Sequence, residues 1–268
     1  MEFERFHNAE REGWNDRASG YDQATALATM QIIPVMLEAV RARSGQRLLD
    51  LACGTGSVAG AAAALGLIAE GVDFAPDMVA LAQSRFPAQG FQVADVQNLP
   101  HSDASFDIVT CNIGLFHVAD PAKALAEAAR GLGSGGRFAF SQWAAPAQSE
   151  LYAALFDILK STADMSLADP APNAYRLSDP AIVADMLTTA GFGDIETRHL
   201  DTTLIANGAD FHDFFMRFGV RVPLIVAAQP ADVQARIKSK MNAAMAPYKT
   251  ATGYEVPMPS LLYSGVLT

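Results

Sequence analysis

Short apolar runs alternate with longer amphipathic stretches along this chain, which predicts parallel strands separated by helices. Leu48, Leu49 and Leu51 with Ala52 form a run too brief for a helix and suited to a strand buried on both faces. It stops at Cys53-Gly54-Thr55-Gly56, where two glycines allow a turn that a Cβ would block and leave amide N–H groups exposed. An alanine-rich helix follows from about Ser57 to Leu65, with Ser57 as its expected cap. Gly66 to Asp73 reads as a second strand ending on an acid. Pro76 to Arg85 reads as a helix with proline in its first turn, and Phe91 to Ala94 as a third strand ending at Asp95. Phe106 to Cys111 and Arg137 to Ser141 read as fourth and fifth strands, the latter introduced by the turn Gly133-Ser134-Gly135-Gly136. Pro121 to Leu132 is a helix between them.

The flanks are less regular. Phe3 and Phe6 sit among charges, and Trp14 to Asp22 is interrupted by Gly20. Met30 to Arg43 reads as a helix with Ile33, Met36, Leu37 and Val40 on one face. Beyond Trp143, Leu151 to Ala163 reads as a helix and Asp169-Pro170-Ala171-Pro172 as a break. Ser178-Asp179-Pro180 caps a further helix to about Ala190, and a strand lies near Ile195 to Leu204. Phe211, Phe214, Phe215 and Phe218 share one helix face, which suits either core or a pocket wall, and Pro230 to Met245 reads as another helix. Residues 255–266 supply a seventh, antiparallel strand, and Pro257 and Pro259 put it at the sheet edge.

Length and charge narrow the functional classes. The 268 residues, 50% hydrophobic, allow one large α/β domain with a cap. Nineteen basic against 29 acidic residues give a net charge of −10, and the pI is near 4.9. Without a Lys/Arg cluster, that balance argues against nucleic acid or an anionic membrane surface as partner. Cys53 and Cys111 give no disulfide framework, and no metal-ligand spacing stands out. The N-terminus is too charged for a signal peptide, and the apolar stretch Ala59 to Ala69 is too short to span a bilayer. A cytoplasmic protein with no membrane insertion is expected.

The glycine loop is informative mainly in combination with the segments downstream of it. Gly54-x-Gly56 runs on to Gly60, which departs from the dinucleotide fingerprint. Asp73, 19 positions after Gly54, stands where a carboxylate can accept from both ribose hydroxyls. Taken in order, LLDLACGTG, GVDFAPDMVALA, ADVQNLP, SFDIVTCNIGLFHV and LGSGGRFAFSQW strongly resemble the class I S-adenosylmethionine-dependent methyltransferases. The resemblance is to the small-molecule branch that includes the ubiquinone and menaquinone ring methylases, and it covers roughly residues 14–143. It implies an α/β, Rossmann-like, seven-stranded mostly parallel sheet with helices on both faces and a helical cap. Within a single domain, 1–45 would be N-terminal lid helices, 46–143 the cofactor core, 144–177 the cap insertion and 178–268 the C-terminal half of the sheet.

The resemblance also implies roles. Asp50 would reach the methionine amino group, usually through water; Ala52, Gly54 and Gly56 would line the cofactor. Asp73 would take the ribose, and Phe74 and Met78 would pack on adenine. Asp95 would accept from the adenine amino group while the Val96 N–H donates to the ring. Asn112 and His117 follow the fourth strand, where the methyl end of S-adenosylmethionine would point, and Tyr21 would arrive from the lid. Each has a plainer reading. Asp50 could steady the loop, Asp95 could be a turn former, and Phe74 and Met78 could be core. Trp14 and Tyr21 could be packing aromatics, and His117 could be structural. The expected reaction is displacement of the sulfonium methyl onto an O, N or C nucleophile of a small molecule, neutral or cationic, releasing S-adenosylhomocysteine. Alignment and desolvation are the main catalytic effects, with His117 and Tyr21 as catalytic candidates. An NAD-dependent oxidoreductase and a non-catalytic S-adenosylmethionine-binding protein remain the alternatives.

Overall fold

A computed structural model describes residues 3–268. The N-terminal segment, expected as a lid, comprises α1 (Glu4–Arg17), a 3-10 turn (Ala18–Gln23), α2 (Thr25–Thr29) and α3 (Ile33–Ala39). Then come β1 (Arg47–Leu51), α4 (Ser57–Ala64), β2 (Ile68–Asp73), α5 (Pro76–Arg85), β3 (Gly90–Val93), β4 (Phe106–Cys111), α6 (Pro121–Gly131) and β5 (Leu132–Trp143). These follow the predicted alternation closely. The helix predicted over Met30 to Arg43 is shorter than expected, but Ile33, Met36, Leu37 and Val40 are all buried as its pattern required.

The remainder holds α7 (Glu150–Thr162), α8 (Pro180–Thr189), β6 (Phe192–Leu200), β7 (Thr203–Asn207), α9 (Phe211–Phe218), α10 (Arg221–Ala227), α11 (Ala231–Met245), β8 (Gly253–Pro257) and β9 (Ser260–Leu267). Seven strands form one sheet in the order β3-β2-β1-β4-β5-β9-β6. Neighbours from β3 through β5 pair in parallel, while β9 runs antiparallel to both β5 and β6.

The sheet alternation separates two cores. Leu48, Ile108 and Ala139 face one with α3 and α4; Leu49, Val109 and Phe138 face the other with α6 and α8. Helices therefore cover both faces.

Residues 255–266 do not make an edge strand. Pro257 ends β8, which pairs with β7 in a separate two-stranded sheet. The run from Ser260 on has no proline, so β9 can bond on both sides, and it sits between β5 and β6.

Candidate active site

A cleft of about 670 Å³ opens at the C-terminal ends of β1, β2 and β4, where open α/β sheets take ligands. Its floor is the loop after β1. Gly54 and Gly56 have φ of +52° and +82°, and a Cβ on Gly56 would come within 2.9 Å of the Phe91 ring. Gly56, not Ser57, caps α4; Ser57 is its first residue and makes no capping bond. Ala52 and Ile113, which follow β1 and β4 closely, also have positive φ, +52° and +54°, and both line the cleft. Non-glycine residues held there are strained, and such strain gathers at ligand-binding turns.

Asp73, at the end of β2, is buried and accepts from the Gly54 N–H (2.8 Å) and the Ala75 N–H (2.9 Å). Each oxygen keeps lone-pair capacity for a further donor. Burial holds its pKa above the ordinary value despite these bonds. Asp50 lies beneath the cleft, 1% exposed and accepting from the Thr110 hydroxyl at 2.9 Å. Burial pushes its pKa up to about 8, the Thr110 bond opposing and the nearby Asp73 charge adding. Phe74 and Met78 line the cleft, and Met78 is fully buried against Trp14 and Val220.

A smaller cavity of about 330 Å³ adjoins Phe74 and holds Ala94, Asp95, Val96 and Gln97. The Asp95 carboxylate accepts from the backbone N–H of Gln97 at 2.9 Å and from its side-chain amide at 3.1 Å. It is therefore a turn former that also faces a cavity. Asn112 is engaged on both sides: its amide donates to the Thr29 carbonyl (3.0 Å) and accepts from the Ser141 hydroxyl (2.7 Å). These bonds tie the lid to β5.

The lid closes the cleft from above. Tyr21 stands over the loop, its ring 3.8 Å from where a Cβ on Gly54 would lie. Burial pushes its pKa up to about 12. Trp14 packs edge-on to Tyr21 with ring centroids 6.0 Å apart. Asn15 exchanges two hydrogen bonds with Asp77 at the start of α5, and Arg85 joins Asp22 of the lid to Thr55 of the loop.

His117 lines the cleft, the smaller cavity and a third, largely apolar cavity of about 1440 Å³. This third space lies between the ends of β4 and β5, and helices α7, α9 and α10. Phe116, Tyr152, Phe156, Tyr175 and Phe215 supply aromatic wall, with Lys160 and Arg221 among the polar lining. All four phenylalanines of α9 are buried, and two also face ligand space: Phe215 this cavity, Phe218 the cleft. Gln142 is 1% exposed and donates to the Ala174 carbonyl, but its Oε1 has no partner. Sequence reasoning missed Glu10, which is 1% exposed and 2.7 Å from His117 Nδ1. Charge on an otherwise buried face of α1 was the signal that could have found it.

Two other groups are chemically quiet. Cys53 and Cys111 are free and buried, and burial raises both thiol pKa values. Asp210, His212 and Asp213 approach metal-ligand spacing among the described residues, but Lys238 already bonds both aspartates, at 2.7 to 3.0 Å.

The fold and cleft have known counterparts. Residues 49–140 match a family described as "Methyltransferase domain". The chain is 31% identical over 182 residues to a demethylmenaquinone methyltransferase of Renibacterium salmoninarum, spanning 64% of this chain and 77% of that one. The YcgJ protein of Bacillus subtilis has the same fold at a TM-score of 0.62, with 21% identity and coverage of 88% of this chain and 98% of that one. Phosphoethanolamine N-methyltransferase 2 of Haemonchus contortus, solved with phosphomonomethylethanolamine and S-adenosylhomocysteine, aligns at a TM-score of 0.53. Its identity is 17%, over 88% of this chain and 52% of that one.

Proposed function

The chain belongs to the class I S-adenosylmethionine-dependent methyltransferases, and from that membership we propose that it methylates a small apolar aromatic molecule bearing an ionisable hydroxyl. The observation that carries this reading is the position of His117, at the junction of the cleft and the large aromatic-walled cavity.

The residues of the cleft fit the cofactor. The positive-φ loop lets a ligand approach the backbone of Gly54, whereas Gly56 turns towards Phe91 and does not line the cleft; Asp73 would take the two ribose hydroxyls. Asp95 and the Val96 N–H would hold adenine beside Phe74. Asp50 would answer the methionine ammonium from below, and Tyr21 would close over it. S-adenosylmethionine, when bound, supplies an already activated methyl group. The protein's share is to align the acceptor, exclude water and take a proton.

The acceptor would lie in the 1440 Å³ cavity, its ring among Phe116, Tyr152 and Tyr175. Lys160 and Arg221 line this space and no carboxylate does among the described residues, so the expectation shifts from a neutral or cationic acceptor to a neutral or anionic one. The relatives' substrate makes reduced demethylmenaquinone the first compound to try. The NAD-dependent alternative loses ground to the family match, since the matching domain and the curated relatives are methyltransferases by name.

Two measurements test the reading. S-adenosylhomocysteine should bind in calorimetry far more tightly than NADH. His117→Ala should lower kcat on reduced demethylmenaquinone or a related aromatic hydroxyl compound by about 10²–10⁴-fold, with little change in cofactor affinity. Tighter NADH binding sinks the cofactor assignment. A His117→Ala enzyme with wild-type kcat removes the histidine from the chemistry.

A further inference from the structure

His117 does not stand alone. Its Nδ1 lies 2.7 Å from Glu10 Oε2, and the same carboxylate oxygen lies 3.2 Å from the Trp14 indole nitrogen. The Glu10 side chain is 2% exposed and that of His117 17%. Trp14 packs edge-on against the imidazole at 5.1 Å, and Phe116 packs on it at 3.8 Å. Glu10 belongs to the lid, whereas His117 belongs to the turn after β4, 107 positions away. Burying a carboxylate is costly unless it is paired, and packing alone would be served by an apolar side chain.

We propose that Glu10 is a positioning residue for methyl transfer: from the closed lid it fixes the tautomer and orientation of His117, so that the base is complete only when the lid is shut. The inference rests on the reading of His117 as the base. An Nδ1–H donated to Glu10 leaves Nε2 with its lone pair, able to face the acceptor. The acceptor O–H bond then breaks with its electron pair remaining on the oxygen. The proton passes to Nε2, giving an imidazolium whose second N–H is held by the carboxylate, and it leaves later to water. The Glu10 charge favours that imidazolium.

Other charged and titratable groups share this neighbourhood. Arg17 of α1 and Arg221 of α10 feel the Glu10 charge, and the Asp73 carboxyl at the end of β2 feels His117. His7 and Asp95 share the smaller cavity with His117, Tyr21 shares the cleft, and Lys160 shares the acceptor cavity. Among the described residues the carboxylate bonded to the His117 ring is that of Glu10, so charge removal there should dominate.

The test reads the ring itself and needs no acceptor. Nitrogen-15 NMR of the histidine rings in the full chain contains five spin systems, and loss of one in His117→Ala assigns His117. The wild-type ring should be the Nδ1–H tautomer when neutral. Glu10→Gln, which can still accept the hydrogen bond, should keep that tautomer. Glu10→Leu should release the ring to a mixture dominated by Nε2–H. In turnover with reduced demethylmenaquinone, Glu10→Gln should retain most of the wild-type kcat, because its amide oxygen still accepts the ring N–H. Glu10→Leu should cost about tenfold to a hundredfold in kcat with KM for S-adenosylmethionine nearly unchanged. Unchanged S-adenosylhomocysteine binding in both variants separates these effects from misfolding. A Glu10→Gln ring released to the Nε2–H form, or a Glu10→Leu ring locked in the wild-type tautomer, overturns the proposal. Wild-type turnover by His117→Ala instead overturns the reading beneath it, whatever the ring spectra show.

Discussion

Asp73 spends one hydrogen bond from each carboxylate oxygen on the backbone, at Gly54 and Ala75. The acid is thus already aimed before any ribose arrives, and it also shapes the loop it would share with the ligand. Asp73→Ala should weaken S-adenosylhomocysteine binding by about 1.5–3 kcal/mol in calorimetry, because a charged acceptor of two hydroxyls is lost. Asp73→Asn should fall between, since its amide keeps one acceptor. Equal affinities for all three proteins would leave Asp73 a loop anchor only. The placement of this residue and of the two loop glycines was legible in the sequence because short spacing after predictable strands sets it. Glu10 and Gln142 were not, since each acquires its meaning from a partner or cavity assembled by distant segments.

At the scale of elements, α1 shows why the first helix could not be read from its own pattern, although the resemblance implied N-terminal lid helices. Its buried face is Phe6, Glu10, Gly13 and Trp14, so helical periodicity is present but half the positions are not apolar. Gly13 is there for contact: a Cβ on it would lie 2.4 Å from Val220 Cγ1, just before α10. Gly13→Ala should push α1 off Val220 and cost about 1–3 kcal/mol of stability, seen as a lower urea midpoint. It should also weaken cofactor binding, since Trp14 and Tyr21 are set by the same helix and turn. Wild-type stability with wild-type affinity would mean that α1 accommodates the methyl freely. Elsewhere β1, β4 and α5 fell where their patterns put them, because short buried strands and a proline-started helix carry local signals. The segment with two prolines misled because one proline ends β8 and the other lies between strands, leaving β9 free to pair on both sides.

For the whole molecule, the buried carboxyls make stability depend on pH in a definite direction. Asp50 ionises near 3.8 as an ordinary carboxyl and near 8 in the fold. Between those values the folded protein holds a proton that the unfolded chain has lost, so stability is fullest at the acidic end and falls as pH rises towards 8. Asp73 is shifted in the same direction. Carboxylates held low by basic partners, such as Glu127 beside Arg130 and Asp213 beside Lys238, act in the opposite sense but only in the more acidic range. The ligand-free protein should therefore lose Tm between about pH 5 and pH 8, and Asp50→Asn should flatten that slope. A wild-type Tm that rises across the window would refute a protonated Asp50.

The interior place of β9 carries a consequence for synthesis. Strand β5 is finished at Trp143, yet the strand that bonds it on its far side begins only at Ser260. A ribosome adding roughly 5–20 residues per second needs on the order of ten seconds to supply it. Through that interval β5 keeps an unsatisfied edge, and β6 has no place to dock. The nascent chain must therefore wait with its first five strands assembled and a gap open beside them, a state suited to capture by chaperones or by another unfinished chain.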